Sequence, residues 1–101
     1  MNAPLAGHEA EIQSLCRQFH VRRLELFGSG AAGRLTPASD LDFLVEFEPL
    51  ARGTYADTYF GLREELERLS GRPIDLIVSS TVRNPYFRES VERTKVLIYA
   101  D

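Results

Sequence analysis

The chain carries a single cysteine, Cys16, so neither an internal disulfide nor a cysteine metal cluster is available to it. Its apolar runs are only a few residues long, far short of the roughly 20 needed for a membrane-crossing helix. The opening residues, Met-Asn-Ala-Pro-Leu-Ala-Gly-His-Glu, contain neither the basic stretch nor the apolar stretch of a secretory leader. These absences together lead to the expectation of a cytoplasmic protein. Repeats, low-complexity tracts and linker-like segments are also missing. So is any excess of positive charge: 12 basic residues face 15 acidic ones, the net charge is -3, and no polybasic tail stands out. That balance argues against direct binding of DNA or RNA.

What is present suits one small packed domain over residues 1–101. Of the 101 residues, 44% are hydrophobic and 27% charged, and the mean hydropathy is -0.21. This apolar share is enough for an interior and too high for a disordered chain.

Periodicity divides the chain into elements. Leu5, His8, Ile12, Leu15, Cys16 and Phe19 recur every three or four residues, the apolar stripe of a helix. Arg22 to Phe27 reads as a strand that stops at Gly28. Glycine, alanine, serine, threonine and proline then dominate to Ser39, which marks a loop with room for one helical turn. From Asp40 to Phe47 the alternation is clean: Leu41, Phe43, Val45 and Phe47 share one face, and Asp40, Asp42, Leu44 and Glu46 the other.

Thr54 is a candidate cap for a helix carrying Tyr55, Tyr59, Leu62, Leu66 and Leu69 on one side. Ser70-Gly71-Arg72-Pro73 ends it. Ile74 to Val78 is a short strand with Asp75 on its non-core face. Asn84-Pro85 opens a helix to about Arg93, and Lys95 to Tyr99 makes the last strand. The resulting expectation is an α+β fold: a single mixed sheet of about four strands with helices packed on one face. The face bearing the acids is expected to stay open.

The chemistry concentrates in three carboxylates and one turn. Asp40 and Asp42 lie two apart on a strand, so both project from one face, roughly 7 Å apart along the backbone. Like charges so close repel unless a cation or hydrogen bonds offset them. Asp75 stands in the otherwise apolar run Ile74-Asp75-Leu76-Ile77-Val78, where a buried unpaired charge would be costly. Three carboxylates meeting on an open sheet face form a hard-oxygen site suited to Mg²⁺ or Mn²⁺, with room for a pair of ions about 3.5–4 Å apart.

Taken singly, each feature has an ordinary explanation. Most Asp-x-Asp pairs are merely solvated, and Asp75 alone reads as an exposed acid near a sheet edge. An EF-hand is excluded because Leu41, Phe43 and Leu44 stand where that loop needs oxygen ligands and a glycine. Gly28-Ser29-Gly30 after a strand permits close backbone approach and offers donors to a phosphate, but it is neither a Walker loop nor a dinucleotide fingerprint. His8, His20 and Cys16 read as packed or solvated residues. Tyr55, Tyr59 and Tyr86 read as packing residues first, with Tyr59 or Tyr86 as a secondary option for partner contact.

The joint pattern is specific. A strand, Gly28-Ser29, ten residues, Asp40-Leu41-Asp42 within a hydrophobic strand, and a lone Asp75 in a later strand resemble the nucleotidyltransferase superfamily of the DNA polymerase beta type. Within it, the chain is most similar to the minimal nucleotidyltransferase (MNT) domains of prokaryotes. The match is carried by Leu26-Phe27-Gly28-Ser29 through Ser39-Asp40-Leu41-Asp42-Phe43-Leu44-Val45, and the length and element order extend it over the whole chain. One departure is visible. Close relatives commonly carry Ala-Arg-Gly after the Gly-Ser pair, whereas Gly30-Ala31-Ala32-Gly33-Arg34 places alanine at the arginine position, with Arg34 two residues later.

The resemblance implies that Asp40, Asp42 and Asp75 hold two Mg²⁺ or Mn²⁺ ions, with Asp75 also serving as base. It implies that Gly28, Ser29, Ser39 and Arg34 contact ATP. The implied reaction moves AMP to a hydroxyl, such as a tyrosine of a HEPN-domain toxin, with the chain acting as antitoxin in a homo- or hetero-oligomer. Two other outcomes stay open at this point: an antitoxin that neutralises by binding alone, and a small-molecule nucleotidyltransferase.

Overall fold

The structure, a computed structural model, describes residues 5–28 and 40–101. Its elements run α1 (Glu9–Gln18), β1 (Val21–Phe27), β2 (Leu41–Phe47), α2 (Tyr55–Ser70), β3 (Ile74–Val78), a 3₁₀ turn (Ser79–Thr81), α3 (Pro85–Thr94) and β4 (Val96–Ala100). The strands form one mixed sheet in the order β3-β2-β1-β4. β1 is antiparallel to both β2 and β4, whereas β2 and β3 are parallel. Parallel neighbours need a long crossover, and α2 supplies it. The fold is therefore α+β with a four-stranded mixed sheet, as the element pattern led us to expect.

Register decides which side chains share a face. Leu24 pairs with Val45 and Leu26 with Phe43 across β1 and β2, and Phe43 pairs with Leu76 across β2 and β3. These residues are buried together with Ile12 and Cys16 of α1 and Leu62 and Leu66 of α2 in a single core. Their burial between the helix pair and the sheet supplies the main driving force for folding, at about 25 cal/mol per Å² of apolar surface removed from water.

Local chemistry sets the ends. Gly71 adopts φ +68° and its amide donates to Glu67 O at 2.8 Å, closing α2 with the left-handed cap that glycine tolerates best. The Asn84 side chain accepts from the amides of Tyr86 (2.9 Å) and Phe87 (3.4 Å), with Pro85 in the first turn, as the Asn-Pro pair suggests. Thr54 behaves differently from the expected cap. It precedes α2, but its hydroxyl turns back and donates to Ala51 O at 2.6 Å. The first helix begins at Glu9, not Leu5, although Leu5 is fully buried.

The second sheet face is only partly open. Phe27 pairs with Asp42 and so shares its face, and the Phe27 ring meets Phe87 of α3 edge-on at 5.5 Å. A small cavity of about 30 Å³, lined by Leu44, Val82, Arg88 and Val91, lies between α3 and β2. Arg88 donates to Val82 O through Nε (3.0 Å) and Nη2 (2.5 Å), tying α3 to the segment that leaves β3. α3 thus lies on the acid-bearing side, because Phe27 and Leu44 are apolar residues on that side that need cover.

Candidate active site

β2 and β3 start level with each other: the Leu41 amide donates to Pro73 O at 3.0 Å, and Leu41 pairs with Ile74. The next pair in this parallel register is Asp42 beside Asp75. Neighbouring strands lie about 4.8 Å apart, so the two residues project side by side from one face. Asp40 lies two residues before Asp42, at the lead-in to β2. Asp40 and Asp75 are exposed and Asp42 is half-buried. The Asp42 carboxyl is held above its usual range, first by burial and then by the negative charges of Asp75 and Asp40. The charges of Asp75 and Asp40 are therefore both felt at Asp42.

Among the described residues, no three His, Cys, Asp or Glu side chains are gathered closely enough to hold a metal ion as they stand. The parallel register brings Asp42 and Asp75 side by side as a pair. The donor set fits Mg²⁺ or Mn²⁺ in kind: the ligands are oxygens, and the charge on Asp42 is disfavoured in a way that a cation would relieve.

Gly28 sits directly against Asp42. It has φ +71°, and a Cβ placed on it would lie 2.7 Å from Asp42 Oδ2. Only a residue without a side chain lets the backbone approach that carboxylate so closely. Its amide already donates to Thr94 Oγ1 at 3.1 Å, so its contribution is space and chain direction, not a free donor. Ser29, Arg34 and Ser39 lie outside the described residues.

Other side chains on this face were not singled out by the sequence. Glu25 is buried at 6% exposure between Arg23 Nε and Lys95 Nζ, each 3.5 Å away. Period-two alternation, which puts Glu25 with Phe27, was the signal available for it. Thr94 carried no signal, because its partner is 66 residues distant.

The remaining candidates settle into structural places. Cys16 is fully buried, and burial pushes its thiol up to about 12, so it stays protonated and packed. His8 contacts Glu11 at 3.1 Å on the surface, and exposed His20 makes the turn into β1 with φ 58°. The Tyr59 hydroxyl donates to Leu76 O, and its ring stacks with Tyr55 at 6.4 Å, so it holds α2 to the sheet. Tyr86 is 80% exposed. A larger cleft of about 550 Å³, lined by residues including Phe47, Leu50, Tyr55, Val78 and Ser79, opens at the far ends of β2 and β3. Phe47 is five residues beyond Asp42, roughly 16 Å along the strand, so this cleft is separate from the acids.

The mixed four-stranded sheet sets paired aspartates beside the glycine that ends β1, the arrangement expected of a nucleotidyltransferase. The chain belongs to the nucleotidyltransferase domain family, whose sequence profile matches residues 10–98. It is 35% identical over 81 residues, 80% of each chain, to a Methanocaldococcus jannaschii protein provisionally named a protein adenylyltransferase. It is 32% identical over 80 residues to the protein adenylyltransferase MntA of Thermococcus cleftensis, covering 79% of this chain and 75% of that one. A solved structure provisionally described as a minimal nucleotidyltransferase superposes with TM-score 0.75 at 32% identity, over 95% of both chains. The same fold recurs in a toxin–antitoxin structure with AMP-PNP, at TM-score 0.69 and 19% identity, covering 92% of this chain and 73% of that one.

Proposed function

We propose that this chain is a divalent-metal-dependent adenylyltransferase that moves AMP from ATP to a tyrosine hydroxyl of a partner HEPN-domain toxin, and so serves as its antitoxin in the cytoplasm. The observation that carries the reading is the Asp42–Asp75 register beside Gly28. The names of the relatives supply the nucleotide and the protein acceptor.

In this reading Asp40, Asp42 and Asp75 hold two Mg²⁺ or Mn²⁺ ions, which neutralise phosphate charge and polarise the attacking hydroxyl when bound. Gly28 keeps the backbone close to Asp42, and Ser29, Ser39 and Arg34 contact the phosphates. Asp75, exposed at the rim, takes the proton of the acceptor hydroxyl as its oxygen bonds to the α-phosphorus. The bond from that phosphorus to the bridging oxygen breaks, and pyrophosphate leaves. The described site residues include no nucleophile that needs a covalent intermediate, so positioning and charge neutralisation carry the rate.

The test is transfer of label from α-labelled ATP, with Mg²⁺, to a purified HEPN partner. Labelling is expected with the wild type and is lost with Asp42→Ala. Absence of labelling by the wild type, or equal labelling by the variant, overturns the reading. Alanine at position 32 favours one second reading, neutralisation by binding alone. Protection of cells by the Asp40→Ala/Asp42→Ala double variant would establish it.

A further inference from the structure

We propose that Thr94 is a positioning residue for nucleotide binding, and that α3 works as a clamp holding Gly28 against Asp42 of the acidic site. The inference rests on the adenylyltransferase reading above and assigns a task to a helix outside the motif.

The clamp has two contacts, one at each end of α3. Near its start, Phe87 packs edge-on against Phe27, the last residue of β1. At its last residue, Thr94 Oγ1 accepts the Gly28 amide at 3.1 Å and donates onward to Ser90 O at 3.1 Å. One hydroxyl thereby links the end of β1 to the backbone of α3, and each hydrogen bond polarises the next. A second tie lies one residue further on, where Lys95 Nζ stands 3.5 Å from the buried Glu25 of β1.

Gly28 gains nothing in rigidity from its own chemistry. Glycine populates positive and negative φ about equally, so φ +71° has to be imposed from outside. The residue it leads into is Ser29, and the carboxylate it adjoins is Asp42, at a spacing too small for a Cβ. The hydrogen bond that Gly28 donates to Thr94 selects one direction for the chain at the point where β1 ends. Loss of that bond leaves the Gly28 amide without its acceptor and frees Gly28 from its place against Asp42. Nucleotide affinity then falls, although no group that touches the nucleotide has changed.

Three substitutions test this. Thr94→Val keeps the shape and removes the hydroxyl, Thr94→Ser restores the hydroxyl, and Thr58→Val is the control. Thr58 makes the same helical contact, donating to Thr54 O at 2.8 Å, on α2 away from the acids. The readouts are the dissociation constant for AMP-PNP with Mg²⁺ and the hydrogen-exchange rate of the Gly28 amide in the nucleotide-free protein.

Thr94→Val is expected to weaken AMP-PNP about tenfold, the usual scale for one hydrogen bond lost beside a charged site. It is also expected to speed Gly28 exchange by a similar factor. Thr94→Ser should lie within about twofold of wild type in both readouts, and Thr58→Val should be unchanged. Unaltered Gly28 exchange in Thr94→Val, or a serine variant as impaired as the valine one, overturns the clamp. Should the valine variant fold poorly, Phe87→Leu loosens the other contact and should shift both readouts the same way. An unshifted Phe87→Leu variant then counts against the proposal. If wild type fails to bind AMP-PNP, the adenylyltransferase reading falls, while Gly28 exchange still decides whether Thr94 holds Gly28.

Discussion

Asp42 is the residue on which burial and charge act most directly. Its carboxyl is raised by desolvation and by Asp75 and Asp40, so its ionised form is less favourable in the folded chain than in the unfolded one. A raised acid binds more protons when folded, so the metal-free protein gains stability as pH falls through the raised value toward the ordinary one. Asp42→Asn should therefore raise the melting temperature of the metal-free protein at neutral pH by about 2–4 °C. This corresponds to about 0.5 kcal/mol once solvent screening of a half-exposed group is allowed for. Thermal melts in a chelator check this, and the advantage of asparagine should fade as pH is lowered. Added Mg²⁺ should reverse the order by stabilising only the wild type. Gly28 makes the complementary case. Gly28→Ala forces an L-residue into φ +71° and drives its Cβ to within 2.7 Å of Asp42 Oδ2. A loss of about 1–2 kcal/mol is expected from the backbone alone, together with loss of AMP transfer, read by melting and by the labelling assay.

At the scale of elements, α3 is the piece whose role depends on how well it is formed. Its first turn is closed by Asn84 with the amides of Tyr86 and Phe87, and Phe87 is also the residue that meets Phe27. Asn84→Ala should cost about 1 kcal/mol and lower the melting temperature by about 4–8 °C. Because the same turn seats the clamp, weaker binding of AMP-PNP should accompany that loss in calorimetry. The parallel pair β2–β3 imposes a different demand. A slip of one residue would move Asp75 to the core face and Ile74 to the solvent face, so the burial of Ile74 and Leu76 enforces the alignment of the two acids. Core packing and site geometry are here one constraint.

For the whole molecule, charge and size set the terms of binding. With a net charge of -3, the protein should give no electrophoretic shift of DNA or RNA at about 150 mM salt, where binding that rests on phosphate contacts is already weakened. A clear shift would show a local basic surface that the overall charge conceals. Much of the architecture was legible beforehand. The alternation of Asp40–Phe47, the stripe of Tyr55–Leu69 and the Asn84-Pro85 start are local patterns, and local patterns survive folding when apolar burial agrees with them. Thr54 departs from the expected cap because its hydroxyl donates to Ala51 O and its side chain accepts no amide of α2. Thr94 carried no local signal because its partner Gly28 is distant in the chain, and Glu25 pairs with the distant Lys95 as well as with its neighbour Arg23.

The order of residues by itself determined the strands and helices, the face on which each aspartate stands, and the family signature from Gly28-Ser29 to Asp40-Leu41-Asp42. These follow from spacing, which any stretch of chain carries within itself. Only the tertiary structure decided that Asp75 lies beside Asp42, that α3 crosses to the acid-bearing side, and that Thr94 holds Gly28. Such pairings join residues 33 to 66 positions apart. Burial of Ile74 and Leu76 selects the first, and cover for Phe27 and Leu44 the placing of α3, requirements that exist only once the sheet has formed.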